Sequence, residues 1–253
     1  MKIGSFNVKD NYINSHGGFR KDGSSNADIV ANIILNEEFD FLGTQELTIN
    51  YVNEIALRLN NYKFYGNYRY GNLLTKLPYN ENNNIITRKE VVFDETVWLP
   101  WVANNIKDFT KSIITLSMMP RIATVIVAND EEFGQICMIN THLDYLNPSI
   151  QKRQLAELKQ LIGKYNSKYP VILTGDFNME TGNKNFSEFI ENLQEQSLMH
   201  VDIEGHTWHN STGKKRMLDH IFIPNYWGVE DAGIISSQGT SDHDFVYVKC
   251  KKK

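Results

Sequence analysis

The chain has 253 residues, 41% of them hydrophobic and 22% charged, with a formal net charge of −4 and a pI near 6.0. That length can bury one large core, and the composition excludes a fibrous or disordered chain. No apolar run approaches the ~20 residues of a membrane-spanning helix, and the acidic balance argues against gripping long DNA through many phosphates.

The N-terminal residues Met1-Lys2-Ile3-Gly4-Ser5-Phe6 enter a strand pattern at once, without a signal peptide's apolar core. This predicts a cytoplasmic protein with no membrane insertion. Residues 2–8 read as the first strand, 26–36 as a helix with apolar residues at three-to-four spacing, 39–44 as a strand and 52–59 as a second helix. Strands follow at 63–66 and 84–88. The stretch 98–119, with two tryptophans and a proline, fits no strong pattern and is expected to be a long excursion that shapes a substrate cleft. Strands are then predicted at 122–128 and 135–140. The clearest helix is 149–165, where Ile150, Leu155, Leu158, Leu161 and Ile162 form one stripe. A strand at 170–174, a helix at 186–194 and strands at 218–223 and 245–250 complete the chain.

Strands outnumber helices without strict alternation, which predicts an α+β fold of two mixed sheets packed face to face with helices outside. No repeat, low-complexity tract or linker divides the chain, so a single domain over 1–253 is expected. Cys137 and Cys250 fall in strand-like segments and no Cys/His cluster has zinc spacing, which points to buried thiols in a reducing compartment.

The segment Thr174-Gly175-Asp176-Phe177-Asn178 carries the most chemistry. It ends an apolar strand with a carboxylate and a carboxamide two residues apart, so both side chains can face one point. Other strands terminate alike: Ser5-Phe6-Asn7, Gly43-Thr44-Gln45-Glu46 and Asn140-Thr141-His142. Leu218-Asp219-His220 puts a carboxylate in an apolar strand, and Ser241-Asp242-His243 precedes the last one. Each has a bland reading as turn former or satisfied core residue. A strand-rich domain has little structural need for so many.

This colinear set resembles the endonuclease/exonuclease/phosphatase superfamily, which includes DNase I-like nucleases, apurinic endonucleases, deadenylases, inositol polyphosphate phosphatases and neutral sphingomyelinases. The resemblance runs from residue 3 to about 248. Glu81 with Asn84-Ile85-Ile86 and Arg88-Lys89, Trp98-Leu99, Pro120-Arg121-Ile122-Ala123-Thr124 and Thr207-Trp208-His209 are similar to further pieces of a bacterial-looking subgroup. His220 departs from it, standing where Tyr commonly follows the aspartate. So does Met217, where a basic residue is frequent, with Arg216 one place off.

The resemblance implies a four-layer αββα sandwich with the site at one edge of the paired sheets. It implies a divalent-metal-dependent phosphoester hydrolase using Mg²⁺ or Mn²⁺, a hard cation that one or two carboxylates can seat. Glu46 is the first-choice ligand, assisted by Asn7 and Asp242. Asp176 would orient or deprotonate the attacking water and Asn178 would donate to the phosphate or nucleophile. His243, held by Asp219, would face the phosphoryl group. His142, oriented by Glu81, would stabilise or protonate the leaving group, and Arg121 would clamp the cluster. A phosphodiester in a nucleic acid or nucleotide is the favoured substrate and a monomer the expected state. The alternatives are a phosphomonoesterase or lipid- or inositol-phosphate headgroup hydrolase on the same scaffold, and a non-catalytic binding protein. His16, His200 and His206 match no motif and are expected to be surface or packing residues. His209 and Asp144 are candidates to line the cleft, and Trp98 and Trp101 either stack a base or pack under the excursion.

Overall fold

A computed structural model describes residues 1–9, 25–71, 80–101 and 119–253. His16 and most of the expected excursion, residues 102–118, lie outside the described residues.

Two six-stranded mixed sheets form the centre. The first contains β1 (Lys2–Asn7), β2 (Phe41–Gln45), β3 (Lys63–Tyr65), β4 (Ile85–Thr87), β13 (Trp227–Ile235) and β14 (Phe245–Lys252), in the order β13-β14-β1-β2-β4-β3. The second contains β5 (Glu90–Leu99), β6 (Arg121–Asp130), β7 (Gly134–His142), β8 (Val171–Asp176), β9 (Leu198–His200) and β12 (Asp219–Pro224), in the order β5-β6-β7-β8-β12-β9. A short ribbon, β10 (Trp208–His209) with β11 (Lys215–Arg216), stands apart from both. Each sheet has one parallel pair at its centre, β1 with β2 and β7 with β8, and its other pairings are antiparallel.

Three buried clusters account for the layering. Ile3, Phe41, Met138, Ile172, Ile221 and Val246 fill the space between the sheets. Helices α1 (Asn26–Glu37) and α2 (Ile49–Ala56) pack Ile34, Tyr51 and Ile55 onto the outer face of the first sheet, against Phe6, Leu42 and Phe245. Helices α3 (Pro148–Asn166) and α4 (Lys184–Glu195) bury Leu155, Leu158, Ile162, Phe186 and Phe189 on the outer face of the second. Three of the four described helix starts are capped by side chains: Ser25 forms a capping box with Asp28, and the side chains of Asn147 and Asn183 accept backbone N–H bonds from the first turns of α3 and α4. The result is the αββα sandwich.

Besides the short β9, β10 and β11, the sequence reading misses the long strands β5 and β13. Both sit at an edge of their sheet and carry a register shift, between Val91 and Phe93 and between Val229 and Asp231. Edge strands face solvent on more sides, so charged residues such as Asp94, Glu95, Glu230 and Asp231 break the apolar signature. Trp98, next to last in β5, is half exposed, with its indole N–H donating to the Arg69 carbonyl at 2.9 Å. Cys137 and Cys250 are free and buried, and burial raises both thiol pKa values, Cys250 to about 12. Among the described residues no helix is long and apolar enough to cross a membrane.

Candidate active site

Strand direction assembles the site. β1, β2, β7 and β8 all end at one edge of the sandwich, while β6, β12 and β14 run antiparallel to neighbouring strands and begin there. Asn7 therefore stands level with Gln45, one residue before Glu46, and His142 stands level with Asp176. Asp219, first in β12, lies opposite Asp176. Glu46 and Asn178 leave their strands with left-handed φ values of 61° and 54°. This conformation is uncommon for residues other than glycine and gathers at functional sites.

Beneath this edge the two sheets are tied by a polar staple. Asn140 of β7 donates at 2.9 Å to the carbonyls of both Thr44 and Asn84 across the interface. Its own carbonyl accepts from Gln45 Nε2 at 2.8 Å and from Thr174 Oγ1 at 3.1 Å. Gly43 leaves room for this: a Cβ there would lie 2.3 Å from Thr174 Oγ1 and 2.4 Å from Asn140 Oδ1.

Asp176 is the centre of the cluster and is buried. Its Oδ2 accepts from Asn7 Nδ2 at 3.0 Å, and its Oδ1 accepts from the backbone N–H of Asn178 at 2.9 Å. The Nε2 atoms of His142 and His243 approach Oδ2 to 3.6 and 3.7 Å. Burial, together with the charge of Asp219, pushes the Asp176 pKa up to about 7, against the pull of His243 and the Asn7 hydrogen bond.

The two imidazoles are tuned in opposite directions. Burial alone would depress His243. The charge and the 2.7 Å hydrogen bond of Asp219, with the charges of Asp176 and Asp242, overcome it and raise its pKa to about 10. Burial and the guanidiniums of Arg121 and Arg69, with His243, drive His142 well below the ordinary imidazole value. His142 Nε2 lies 3.1 Å from Asn178 Nδ2, an amide nitrogen that can only donate, so Nε2 is the acceptor and Nδ1 carries the proton. Nδ1 faces Glu46 Oε1 at 4.0 Å. At neutral pH one imidazole is thus cationic and the other neutral.

Glu46, His142, Asp176, Asn178, Asp242 and His243 line one cavity of about 430 Å³, which also meets Arg69, Glu81 and Arg121 on another wall. All the sequence-derived catalytic and metal candidates except Asn7 and Asp219 line it directly, whereas His209 and Asp144, expected at the cleft, do not. Asn7 and Asp219 reach it through partners, since Asn7 Nδ2 bridges Glu46 Oε1 and Asp176 Oδ2 at 3.0 Å each and Asp219 holds His243. Asn7 so presents its nitrogen to the carboxylates, while its oxygen accepts from the Lys9 backbone at 2.9 Å.

One expected pairing is replaced. Glu81 ion-pairs with Arg69 at 2.6 Å and is not within ion-pair distance of His142. A guanidinium competes better than a neutral imidazole for a carboxylate. Burial, opposed by Arg69, raises the Glu81 pKa to about 7. Sequence reasoning overlooked Arg69, which ends no strand and sits in a turn among tyrosines. It also overlooked Lys9 and Tyr145. Lys9 ion-pairs with Asp242, which accepts from Trp208 Nε1 at 3.0 Å as well. His200 belongs to a buried aromatic cluster with Phe186, His220 and Phe222, while His206 is exposed. Asp144 caps the turn before α3 by accepting from the N–H groups of Leu146 and Asn147.

The donor set suits a hard cation. Glu46 presents carboxylate oxygens at the cavity wall, and the buried Oδ1 atoms of Asp242 and Asp219 have no hydrogen-bond partner among the described residues. Asp176, Asp219 and His243 also offer ligand atoms within 4.8 Å of one another. There, however, the Asp219–His243 hydrogen bond already occupies the facing atoms. Asp242 keeps its Oδ1 open, while its Oδ2 is engaged by Lys9 and Trp208.

Residues 4–243 match the Endonuclease/Exonuclease/phosphatase family. A search of curated proteins gave no match. Solved structures share the fold at low identity. A Bacteroides thetaiotaomicron mannosyl-6-phosphatase superposes with a TM-score of 0.75 at 19% identity, covering 99% of each chain. D. rerio TDP2 complexed with single strand DNA product gives 0.75 at 15%, covering 100% of this chain and 99% of that one. The human Nocturnin catalytic domain gives 0.73 at 16%, covering 100% and 93%.

Proposed function

The chain belongs to the endonuclease/exonuclease/phosphatase family, a group of phosphoester hydrolases, and on that footing we propose that it hydrolyses a phosphodiester in a nucleic acid or nucleotide with Mg²⁺ or Mn²⁺. The observation that carries the reading is the convergence on Asp176, where two amides donate to a buried carboxylate and two differently tuned imidazoles flank it.

Glu46 and the free oxygen of Asp242 would hold the cation, which when bound neutralises charge on the phosphoryl oxygens. Asn7 positions Glu46 against Asp176. With a pKa near 7, Asp176 is poised to accept a proton from the attacking water at physiological pH. Asn178 donates both amide protons, to His142 Nε2 and the Leu143 carbonyl, and so would orient the water through its Oδ1 acceptor. His243 keeps its proton, fixed by Asp219, and donates Nε2–H to the phosphoryl group as charge builds there. His142 is too strongly depressed to act as an acid at neutral pH. It serves as a neutral hydrogen-bond partner on the leaving-group side, a narrower part than the sequence reading allowed.

Two structural neighbours, a mannosyl-6-phosphatase and a protein complexed with single strand DNA product, mark the range open to this scaffold. The test is hydrolysis of bis(p-nitrophenyl) phosphate and p-nitrophenyl phosphate with and without Mn²⁺, beside Asp176→Asn. Metal-stimulated diester cleavage that Asp176→Asn abolishes supports the reading. Monoester cleavage alone transfers it to a phosphomonoesterase, and metal-independent or Asp176-independent activity overturns it.

A further inference from the structure

The wall beside His142 holds a buried guanidinium donor that no described residue satisfies. Arg121, the first residue of β6, is only 6% exposed, and its Nε has no hydrogen-bond partner among the described residues. A guanidinium keeps its charge and its five donors when buried, so an unmatched donor calls for an acceptor from outside. Glu81 does not fill that need, because it is held by Arg69 at 2.6 Å.

Arg69 is itself fixed. Its backbone N–H donates to the Glu81 carbonyl at 3.0 Å and its own carbonyl accepts from Trp98 at 2.9 Å. Arg69, Glu81, Arg121 and His142 share a narrow recess of about 10 Å³ next to the main cavity. That is room for about one water-sized group, such as a single oxyanion oxygen, and too little for a sugar or base. The two guanidiniums stand among the carboxylates of Glu81, Asp144 and Glu46, and both depress His142.

We propose that Arg69 and Arg121 form a second anion subsite, which takes a phosphate group of the substrate adjacent to the scissile phosphoester. The assignment rests on the hydrolase reading above and narrows it to substrates that carry two phosphates, such as a nucleotide with an end phosphate beside the bond to be cut. Arg69 is fixed and Arg121 brings the unmatched Nε–H, so the recess offers charge-assisted donors to an oxygen of that second phosphate.

Calorimetric titration of the full chain in Mg²⁺ with thymidine 3′,5′-bisphosphate and thymidine 5′-monophosphate tests this. The wild type is expected to bind the bisphosphate roughly tenfold more tightly, as one charge-assisted contact implies. Arg121→Gln and Arg69→Gln should each shrink that preference to about threefold or less, with Arg121→Lys retaining part of it. Equal wild-type affinities, no binding of either nucleotide, or a preference that survives both glutamine variants would overturn the subsite. Turnover of p-nitrophenyl diesters is read separately, so an Asp176-dependent enzyme that ignores the second phosphate sinks this inference and leaves the hydrolase standing.

Discussion

Nδ1 of His243 donates a 2.7 Å hydrogen bond to Asp219, a fully buried carboxylate whose other oxygen has no partner among the described residues. The two residues come from the start of β12 and the segment before β14, one in each sheet, so this contact closes the site across the sandwich. The backbone N–H groups of Leu218 and Asp219 both bond to Thr207 Oγ1 at 3.2 Å, which fixes the carboxylate end of the pair.

Asp219→Asn retains shape and removes the charge. Turnover at pH 7 should fall by roughly 10²- to 10⁴-fold. In metal-free protein the NMR titration midpoint of His243 should drop from about 10 toward its ordinary value. Because the folded pKa is raised above 6.5, the pair stabilises the fold fully below about pH 6.5 and progressively less as pH rises through about 10. The stability gap between wild type and variant should close over that window. An unmoved midpoint would show that Asp219 does not control His243.

Glu46 and Asp176 are predicted to separate metal binding from chemistry. Glu46→Ala should weaken Mn²⁺ binding by roughly 10- to 100-fold in calorimetry. Asp176→Asn should leave that affinity within a few-fold while removing turnover. In the wild type, kcat/KM should rise with pH through about 7, as a carboxyl whose pKa burial has raised gives up its proton. The reverse pattern in the two variants would exchange their roles.

The staple at Asn140 should matter to stability more than its size suggests. Asn140→Ala removes four buried hydrogen bonds, although the Asn84 carbonyl keeps the Thr44 N–H and Gln45 Nε2 keeps Ser5 Oγ. A loss of about 2–4 kcal/mol is expected in urea unfolding. Gly43→Ala forces a Cβ into the same network and should cost about 1–3 kcal/mol by overpacking. Losses under about 0.5 kcal/mol would mean the sheets are not tied there.

Buried His220 predicts acid sensitivity away from the catalytic cluster. Its Nε2 lies 2.9 Å from the Met179 carbonyl, which only accepts, so Nδ1 is the acceptor for His200 Nε2 at 3.0 Å. Burial, with His200, lowers its pKa to about 3. The unfolded chain then takes up a proton below about pH 6.5 that the folded chain refuses until about pH 3, so stability falls as pH falls across that range. His220→Gln can still donate to Met179 and accept from His200, and should move the acid-unfolding midpoint to lower pH. A midpoint that does not move would assign acid unfolding to other groups.

The αββα arrangement and the candidates Asp176, Asn178, His142 and His243 were legible from the chain, because an apolar strand ending in a polar pair is a local pattern and needs no knowledge of distant neighbours. The edge strands β5 and β13 were hidden, since exposure on several sides and a bulge erase the alternation that reveals a strand. Only the folded structure decided that Glu81 belongs to Arg69, that Asn7 bridges two carboxylates, that Lys9 sits on Asp242 and that burial and neighbouring charges shift the two imidazoles in opposite directions. Periodicity reports which side of one element is buried. Partner choice and pKa depend on distances and desolvation between groups far apart in the chain, and these exist only once the sheets have packed.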